Sequence, residues 1–291
     1  MDCQFFLKSH LLSRKRLVVY FFFNICINYK LYNDKILIYS LYCINKIRII
    51  KLESCLVIIP TYNEIENIHS IIRAVLQQGE QFSVLIVDDN SPDGTGEVVE
   101  ILQKTENRIH LLQRSGKLGL GTAYIAGFRY GINKAFDYIF EMDADFSHNP
   151  DDLKRLLKAC QEGADMAIGS RYIKGGDIKN WSKDRLVLSY GASLYVKSIT
   201  WLPVNDPTAG FICYKRKVLE SLDLDKIKFI GYTFQIEMKY YAWSKGFKLA
   251  EVPITFVDRE KGNSKMHANI VSEAIKGVLK MRWRKMTGYY S

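Results

Sequence analysis

Two carboxylates one residue apart, Asp143 and Asp145, are the residues of this sequence whose type and spacing best suit chemistry. They follow an apolar, strand-favouring stretch at residues 138–140 and precede a break at residues 146–150. In an extended chain, residues i and i+2 point to the same side, so both carboxylates can converge on one point. Such hard oxygen ligands suit Mg²⁺ or Mn²⁺ carrying a diphosphate. Taken alone, the pair could equally form a solvated turn.

Apolar segments that alternate with helical patterns predict the elements that must position this pair. Strands are predicted at residues 56–60, 84–87, 109–112 and 138–140. Helices are predicted at residues 67–78, after residue 95 as far as 104, and after residue 121 through 134. This alternation predicts an α/β fold with a mainly parallel central sheet and helices on both faces. Ligands of such sheets bind beyond the carboxyl ends of the strands, where the paired acids are predicted to lie.

Acids and glycines also follow the second and third predicted strands. Asp88 and Asp89 open a turn at residues 90–95, and their alternative interpretation is as turn-forming or helix-capping residues. The glycine-rich loop at residues 116–121 lacks the Gly-x-Gly-x-x-Gly spacing, and no Walker lysine motif occurs. We therefore predict neither dinucleotide nor P-loop phosphate binding, and expect the loop to let backbone approach a ligand closely.

Composition and charge exclude several classes of function. The chain has 291 residues, 48% of them hydrophobic, which is enough for a sizeable globular core. More than half of the net charge of +10 falls in residues 1–53, which hold nine Lys and Arg against three Asp and Glu, so nucleic-acid binding is not predicted. The six cysteines form no C-x-x-C pair, which favours a reduced, cytoplasmic chain without a zinc site.

The first 53 residues form a leader of uncertain status. An apolar run at residues 17–27 follows three basic residues and is shorter than the roughly 20 residues that span a bilayer. No small-residue cleavage site follows it, and a second apolar run occupies residues 36–44. An upstream extension without function, a membrane-surface anchor, and a true signal or span all remain open.

Several short motifs resemble the family 2 glycosyltransferases. They are residues 57–64 (VIIPTYNE), 87–95 (VDDNSPDGT), 143–148 (DADFSH) and 169–172 (GSRY). Residues 206–211 (DPTAGF) and the pattern Arg259-x-x-Gly262-x-Ser264-Lys265-Met266 narrow the resemblance to the polyprenyl-phosphate branch, the dolichol-phosphate mannosyltransferases. The similarity runs from about residue 54 to the end. It implies a GT-A fold, with a glycosyltransferase domain at residues 54–265 and a basic amphipathic helix at residues 266–291.

The resemblance also implies roles for individual residues. It places Pro60, Tyr62 and Glu64 at the base and ribose, and Asp88 at the nucleoside. The nucleotide-sugar site further includes Val87, Asp89, Lys117, Ala144 and Arg171. Asp143 and Asp145 would meet the metal, Mg or Mn, and the diphosphate. Arg171, Arg185, Arg259 and Lys265 would bind phosphates, and the paired acids with Arg171 and Arg259 form the expected catalytic set.

One departure from the family concerns the metal. Phe146 and Ser147 follow the paired acids where relatives often have Leu or a Gln-containing variant, so the third protein ligand stays open and waters could complete the octahedron.

Three segments of the second half have simpler interpretations. Residues 181–201 are predicted as a core-packed helix rather than a membrane contact. The resemblance implies that the Glu237 region lies near the site, but a Glu on a helix face is interpreted here as a solvated charge. Pro253 within residues 249–256 predicts an edge strand. The basic helix after residue 266 can either lie in the headgroup plane or dock on its own domain.

The expected function is transfer of mannose from GDP-mannose to a polyprenyl phosphate, metal-dependent and inverting, with a β-linked product. The expected partners are these two substrates and a membrane surface or a small membrane partner, with no nucleic acid. The expected location is the cytoplasmic face of a membrane, to which the enzyme binds peripherally. A UDP-glucose or other nucleotide-sugar donor, and a non-catalytic nucleotide-sugar-binding protein of the same fold, are the alternatives.

Overall fold

A computed structural model describes residues 53–229, 231, 233–258 and 268–290, with only the backbone for residues 268–274. The predictions made for the leader, for Arg259 and for Lys265 lie outside these residues. Residues 54–291 belong to one compact unit.

A seven-stranded mixed sheet forms the centre of the described chain. The strands of both this sheet and a separate two-stranded sheet are, in chain order, β1 Cys55–Thr61, β2 Phe82–Asp88, β3 Ile109–Gln113, β4 Tyr138–Glu141, β5 Met166–Ser170, β6 Asp177–Lys179, β7 Ile212–Lys215, β8 Leu249–Pro253 and β9 Thr255–Val257. Their order in the sheet is β3-β2-β1-β4-β7-β5-β8, while β6 pairs separately with β9. Only β7, among these seven, runs antiparallel to its neighbours. The prediction of a mainly parallel sheet is confirmed.

Helices connect the strands. They are α1 Ile68–Leu76, α2 Thr95–Thr105, α3 Leu120–Asn133, α4 Leu153–Gln161, α5 Lys183–Thr200, α6 Arg216–Ser221, α7 Thr233–Ser244 and α8 Ala268–Met286, with 3₁₀ turns at Pro150–Asp152 and Leu224–Lys226. In the part of the chain that the structure describes, no helix combines the length and apolar character needed to cross a membrane.

Two apolar cores, one on each face of the sheet, follow from the alternation of side chains along the strands. Leu56 and Ile58 face a core built with α3, α7 and α8. Val57 and Ile59 face the other core, built with α1, α2 and α4. Helices therefore cover both faces, as predicted.

Of two predictions for the second half of the chain, the structure confirms one and contradicts the other. Strand β8 lies at the end of the sheet order, so the edge position predicted from Pro253 is confirmed. The prediction that α5 is packed in the core is wrong for much of the helix. Val196 is buried, but Val187 is 71% exposed and Leu194 is 50% exposed.

Candidate active site

The paired acids lie where the chain leaves the carboxyl end of β4. Met142 and Ala144 are buried beneath this loop. Asp143 and Asp145 are partly exposed, so the alternation predicted for an extended chain is present. The backbone N–H of Ser147 donates a hydrogen bond to Asp145 Oδ1 at 3.0 Å. The loop therefore presents two carboxylates on one side and fixes the orientation of one of them.

A buried imidazole supports the same loop. His148 Nδ1 accepts a hydrogen bond from the backbone N–H of Asp143 at 3.3 Å, and its ring stacks on Phe211 with centroids 4.9 Å apart. Burial lowers the pKa of His148 to about 4, so the imidazole is neutral at pH 7. A neutral ring is needed here, because Nδ1 acts as a hydrogen-bond acceptor.

The donors around the paired acids suit a hard divalent cation. Among the described residues there is no cluster of three His, Cys, Asp or Glu side chains that could hold a metal ion. Asp143 and Asp145 supply carboxylate oxygens, and Ser147 Oγ is a buried hydroxyl with no hydrogen-bond partner in the described structure. An oxygen-only set with two carboxylates fits Mg²⁺ or Mn²⁺, which commonly keep several waters.

The loop after β2 is held together by Asp88. Its Oδ1 accepts hydrogen bonds from Thr61 Oγ1 at 2.9 Å and Ser91 Oγ at 2.6 Å, and its Oδ2 accepts one from the Ser91 N–H at 2.9 Å. The side chain is 1% exposed. In this structure Asp88 therefore stabilises a turn, as its alternative interpretation expected.

Two further contacts involve residues that were predicted to bind the nucleotide. Arg114 Nε donates a hydrogen bond to Asp89 Oδ1 at 2.6 Å, and both side chains are largely buried. Lys117 Nζ lies 4.5 Å from the centroid of the Tyr62 ring, which is partly exposed. Such a cation–aromatic pair links the loop after β1 to the loop after β3.

Arg171, at the end of β5, is bound by a buried carboxylate. Its Nε and Nη2 donate to the two Asp206 oxygens at 2.6 Å and 2.7 Å, and Nη2 also donates to Thr208 Oγ1 at 2.9 Å. Burial alone would raise the pKa of Asp206, but the hydrogen bonds and charge of Arg171 lower it below its ordinary value. The guanidinium is therefore held in one orientation at the edge of the site.

Arg185, in the first turn of α5, forms an ion pair that is less buried than that of Arg171. Its Nη1 lies 2.6 Å from Asp258 Oδ2, and its guanidinium lies 4.1 Å from the centroid of the Trp181 ring. About a quarter of each paired side chain is exposed. An ion pair and an aromatic ring therefore hold Arg185 beside the cavity.

A cavity of about 610 Å³ brings these groups together. Its charged end is lined by Asp143, Asp145, Ser147, His148, Arg171, Arg185 and Asp258. Its apolar wall comes from α5, α7 and α8 and includes Val187, Leu188, Ala192, Tyr195, Val196, Ile236, Ile275 and Val278. The loop residues Pro60, Tyr62, Glu64, Val87, Asp88, Asp89 and Lys117 lie outside this cavity lining. The structure thus brings Asp143 and Asp145 together with Arg171 and Arg185 in one cavity, while these seven predicted nucleotide residues are not part of its lining.

A polar layer lies buried behind the paired acids. Glu141, which is fully buried, accepts hydrogen bonds from Tyr214 Oη at 2.6 Å and from Gln235 Nε2. Burial raises the pKa of Glu141 to about 7 and lowers that of Lys239 to about 8. Lys239 Nζ donates to the carbonyl oxygen of Ala209 at 2.6 Å, and so supports the loop that carries Asp206.

Sequence reasoning missed four of these residues as parts of the site. Glu141 directly follows an apolar stretch, and that contrast is a signal for a buried polar group. Lys239 lies in a helix that also contains Gln235 and Glu237, so the sequence gives no such signal for it. His148 and Asp206 were part of quoted motifs, but no role was predicted for them.

Comparison with known proteins places the chain in a family. The model of the family "Glycosyl transferase family 2" matches residues 56–223. A polyprenol monophosphomannose synthase from Mycolicibacterium smegmatis is 47% identical over 221 residues, which cover 76% of this chain and 83% of that protein. An undecaprenyl-phosphate mannosyltransferase from Micrococcus luteus is 45% identical over 228 residues, 78% of this chain and 93% of that protein.

Solved structures are similar in fold at low sequence identity. Glucosyl-3-phosphoglycerate synthase from Mycobacterium tuberculosis in complex with phosphoglyceric acid has a TM-score of 0.56 and 17% identity, covering 81% of this chain and 82% of that one. Its complex with Mn²⁺, uridine diphosphate and phosphoglyceric acid has a TM-score of 0.57 and 16% identity, covering 80% and 78%. The chain belongs to glycosyl transferase family 2 and has the GT-A fold.

Proposed function

We propose that the protein transfers mannose from GDP-mannose to the phosphate of a polyprenyl monophosphate. The observation that carries this proposal is a single cavity with three carboxylates and two arginines at one end and an apolar wall at the other. An acceptor with a phosphate head and a hydrocarbon tail needs both environments. The two relatives at 45–47% identity are named for this class of reaction.

The proposed step is one displacement at the sugar. A phosphate oxygen of the acceptor attacks the anomeric carbon of mannose, the bond from that carbon to the diphosphate oxygen breaks, and GDP leaves with the bonding electrons. Attack from the opposite face converts an α-linked donor into a β-linked lipid phosphate. Arg171 and Arg185 supply the positive charge that lets two anionic groups approach each other.

Asp143 and Asp145 are assigned to the metal ion, with Mg²⁺ and Mn²⁺ as candidates. The bound ion would offset the charge that develops on the leaving diphosphate. These two residues would hold the ion at the charged end of the cavity, which Arg171 also lines. Ser147 Oγ is close in sequence and is a candidate for a direct or water-mediated ligand.

The step needs no general base in this proposal, because a lipid phosphate is already largely anionic at pH 7. Among the described residues, the carboxylates that line the cavity are those of Asp143, Asp145 and Asp258. Two are assigned to the metal, and the third is paired with Arg185. His148 is buried and already accepts a hydrogen bond through Nδ1.

We propose that an anionic bilayer supplies the lipid acceptor. The protein would dock on this bilayer through the outer surface of α5 and α8. We call this surface the α5–α8 face. Its exposed apolar residues are Leu186, Val187, Leu188, Tyr190, Leu194, Ile275, Leu279, Trp283 and Met286. Exposed lysines border it at Lys183, Lys276 and Lys280.

Two observations favour a bilayer on this face. Apolar side chains and a tryptophan beside lysines suit the boundary between headgroups and acyl chains, and each lysine near an anionic surface adds roughly 1 kcal/mol. Val187 and Leu188 of α5 and Ile275 of α8 also line the cavity, so the face is continuous with the proposed acceptor site. A bound enzyme would then sit peripherally, on the cytoplasmic face in our proposal, and take its lipid directly from the leaflet.

Vesicle binding tests this partner with the full chain. Trp283→Ser combined with Leu279→Ser should lower binding to phosphatidylcholine–phosphatidylglycerol vesicles by about tenfold or more, since apolar burial is lost. Ile101→Ser is the matched control, because Ile101 is 62% exposed on α2, which covers the opposite face of the sheet. Equal binding of the double variant and the wild type would exclude the α5–α8 face as the docking surface.

A labelled-donor assay tests the reaction itself. GDP-mannose and UDP-glucose should be compared on two polyprenyl phosphates, each with an acceptor-free control. We expect lipid-linked label from GDP-mannose. Transfer from UDP-glucose alone would favour the alternative donor, and GDP-mannose binding without transfer to either lipid would favour a non-catalytic binding protein.

A further inference from the structure

A carboxylate outside the cavity joins the elements that form the cavity's apolar wall. Glu237, in the middle of α7, is 0% exposed, so its interpretation as a solvated charge is wrong. Its Oε2 accepts hydrogen bonds from the backbone N–H groups of Lys228 and Phe229 at 2.9 Å and 3.1 Å. Its Oε1 accepts hydrogen bonds from Arg284 Nη1 and Tyr290 Oη, both at 2.9 Å. One carboxylate therefore connects the loop before α7, α7 itself and the end of α8.

The partner of Glu237 is equally enclosed. The Arg284 side chain is 7% exposed, and its guanidinium lies 4.7 Å from the centroid of the Tyr289 ring and 5.6 Å from that of Phe229. Tyr289 Oη donates to the carbonyl oxygen of Lys226 at 3.1 Å. Arg284 therefore differs from the other basic residues of α8, because it points into the domain and not toward solvent.

This cluster determines where α8 lies relative to the cavity. Upstream on the same helix, Ile275 and Val278 form part of the apolar wall, and Tyr195 of α5 donates a hydrogen bond to the carbonyl oxygen of Ile275 at 3.2 Å. At Gly277 an added Cβ would lie 2.7 Å from Thr233 Cγ2 and 3.0 Å from the Phe229 ring. Helices packed this closely leave no room for α8 to shift without moving α7 and the wall.

A buried ion pair is a costly way to gain stability alone, since apolar residues of similar volume often stabilise as well. Its hydrogen bonds are directional, however, and a carboxylate with four donors admits one arrangement of the three segments. This favours a role in positioning.

We propose that Glu237 and Arg284 are positioning residues for the acceptor half of the cavity, fixing α8 as the wall against which the lipid chain lies. The inference rests on the proposed function. It predicts that loosening the pair impairs use of the lipid acceptor and leaves donor binding intact, because the donor residues lie at the ends of β1, β2 and β4.

The test variant is Arg284→Met, which removes the charge at similar volume, with Arg284→Lys as the conservative partner. Arg129→Met is the matched control, since it removes an exposed ion pair of 2.5 Å with Asp225. For Arg284→Met we expect the KM for polyprenyl phosphate to rise about tenfold, while the Kd for GDP-mannose stays within about twofold. Arg284→Lys should restore part of the acceptor KM, and Arg129→Met should match the wild type.

Hydrogen exchange gives a readout that does not depend on substrate. Amides of residues 268–290 and 227–229 should lose protection in Arg284→Met, while those of β1, β2 and β4 should not. If Arg284→Met fails to fold, Tyr290→Phe, which removes one of the four hydrogen bonds, should raise the acceptor KM by about two- to threefold.

Two outcomes would overturn the inference. One is an unchanged acceptor KM in a folded Arg284→Met protein, and the other is a parallel loss of donor affinity and of protection across the whole sheet. Wild-type transfer is measured first. A wild-type protein that transfers no mannose would count against the proposed function. The hydrogen-exchange pattern alone would then test whether the Glu237–Arg284 pair holds α8 in place.

Discussion

Asp206 and Arg171 form a buried, two-pronged ion pair, with the Arg171 Nε and Nη2 donating to separate carboxylate oxygens at 2.6 Å and 2.7 Å. The Arg171 backbone N–H also donates to Asp206 Oδ2 at 3.0 Å. The pair therefore fixes both the backbone and the side chain of the residue at which β5 enters the cavity. In our proposal, Arg171 acts on a phosphate from the orientation that Asp206 gives it.

Asp206→Asn should lower the free energy of unfolding by about 3–5 kcal/mol, because a buried guanidinium loses its counter-charge. Urea denaturation at pH 7 measures this change. Asp258→Asn is the comparison, since the Asp258–Arg185 pair is about a quarter exposed and should cost at most about 1 kcal/mol. Similar losses for both variants would contradict the difference in burial on which this prediction depends.

Asp145→Asn should lower turnover by about a hundredfold or more without unfolding the protein, because it removes a hard anionic ligand at constant volume. Asp143→Asn should behave similarly and bind the donor more weakly. Turnover at saturating Mn²⁺ and the Tm should be measured together, with the 86% exposed Asp225 changed to Asn as control. Near-wild-type turnover of Asp145→Asn would exclude the proposed metal site.

Much of the fold could be predicted because local patterns encode it. The strands before Thr61, Asp88 and Glu141 are continuous apolar runs, and the spacing of Asp143 and Asp145 was enough to place both on one side. Pro253 likewise indicated an edge strand. These features depend only on residues near one another in the chain.

The remaining features of the fold and the site depend on which distant segments pack together. Residues near one another in the chain do not specify these long-range contacts. Asp206 reaches Arg171 across 35 residues and Arg284 reaches Glu237 across 47. Sequence reasoning therefore assigned no role to Asp206, and it predicted a solvated charge at Glu237, which is buried. Helix α5 has apolar residues around much of its circumference, so its pattern could not indicate that one side stays exposed. The antiparallel insertion of β7 between β4 and β5 is a long-range pairing of the same kind.

A chain that starts at Ser54 should fold and transfer mannose in detergent, because β1 begins at Cys55 and its backbone N–H already pairs with the carbonyl oxygen of Gln81. Transfer in detergent and transfer on vesicles should be measured for the full and shortened chains. Loss of activity on vesicles alone would identify the leader as an anchor. An insoluble or inactive shortened chain would contradict the domain start that we propose.

Asp258→Asn should keep at least about a tenth of the wild-type turnover, because no proton has to be removed from an anionic phosphate. The rate should be measured from pH 5 to 8, where the acceptor phosphate's own second ionisation, near about 6, is the expected titration. A thousandfold loss with unchanged GDP and Mn²⁺ binding would instead identify Asp258 as a base.

The most direct test is the anomeric configuration of the product that the wild-type protein and Asp145→Asn form from GDP-mannose and undecaprenyl phosphate. The proposed single displacement predicts a β-linked mannosyl lipid phosphate from the wild type, identified by its one-bond carbon–hydrogen coupling in NMR, and almost no product from the variant. An α-linked product, or equal amounts of product from both proteins, would contradict it.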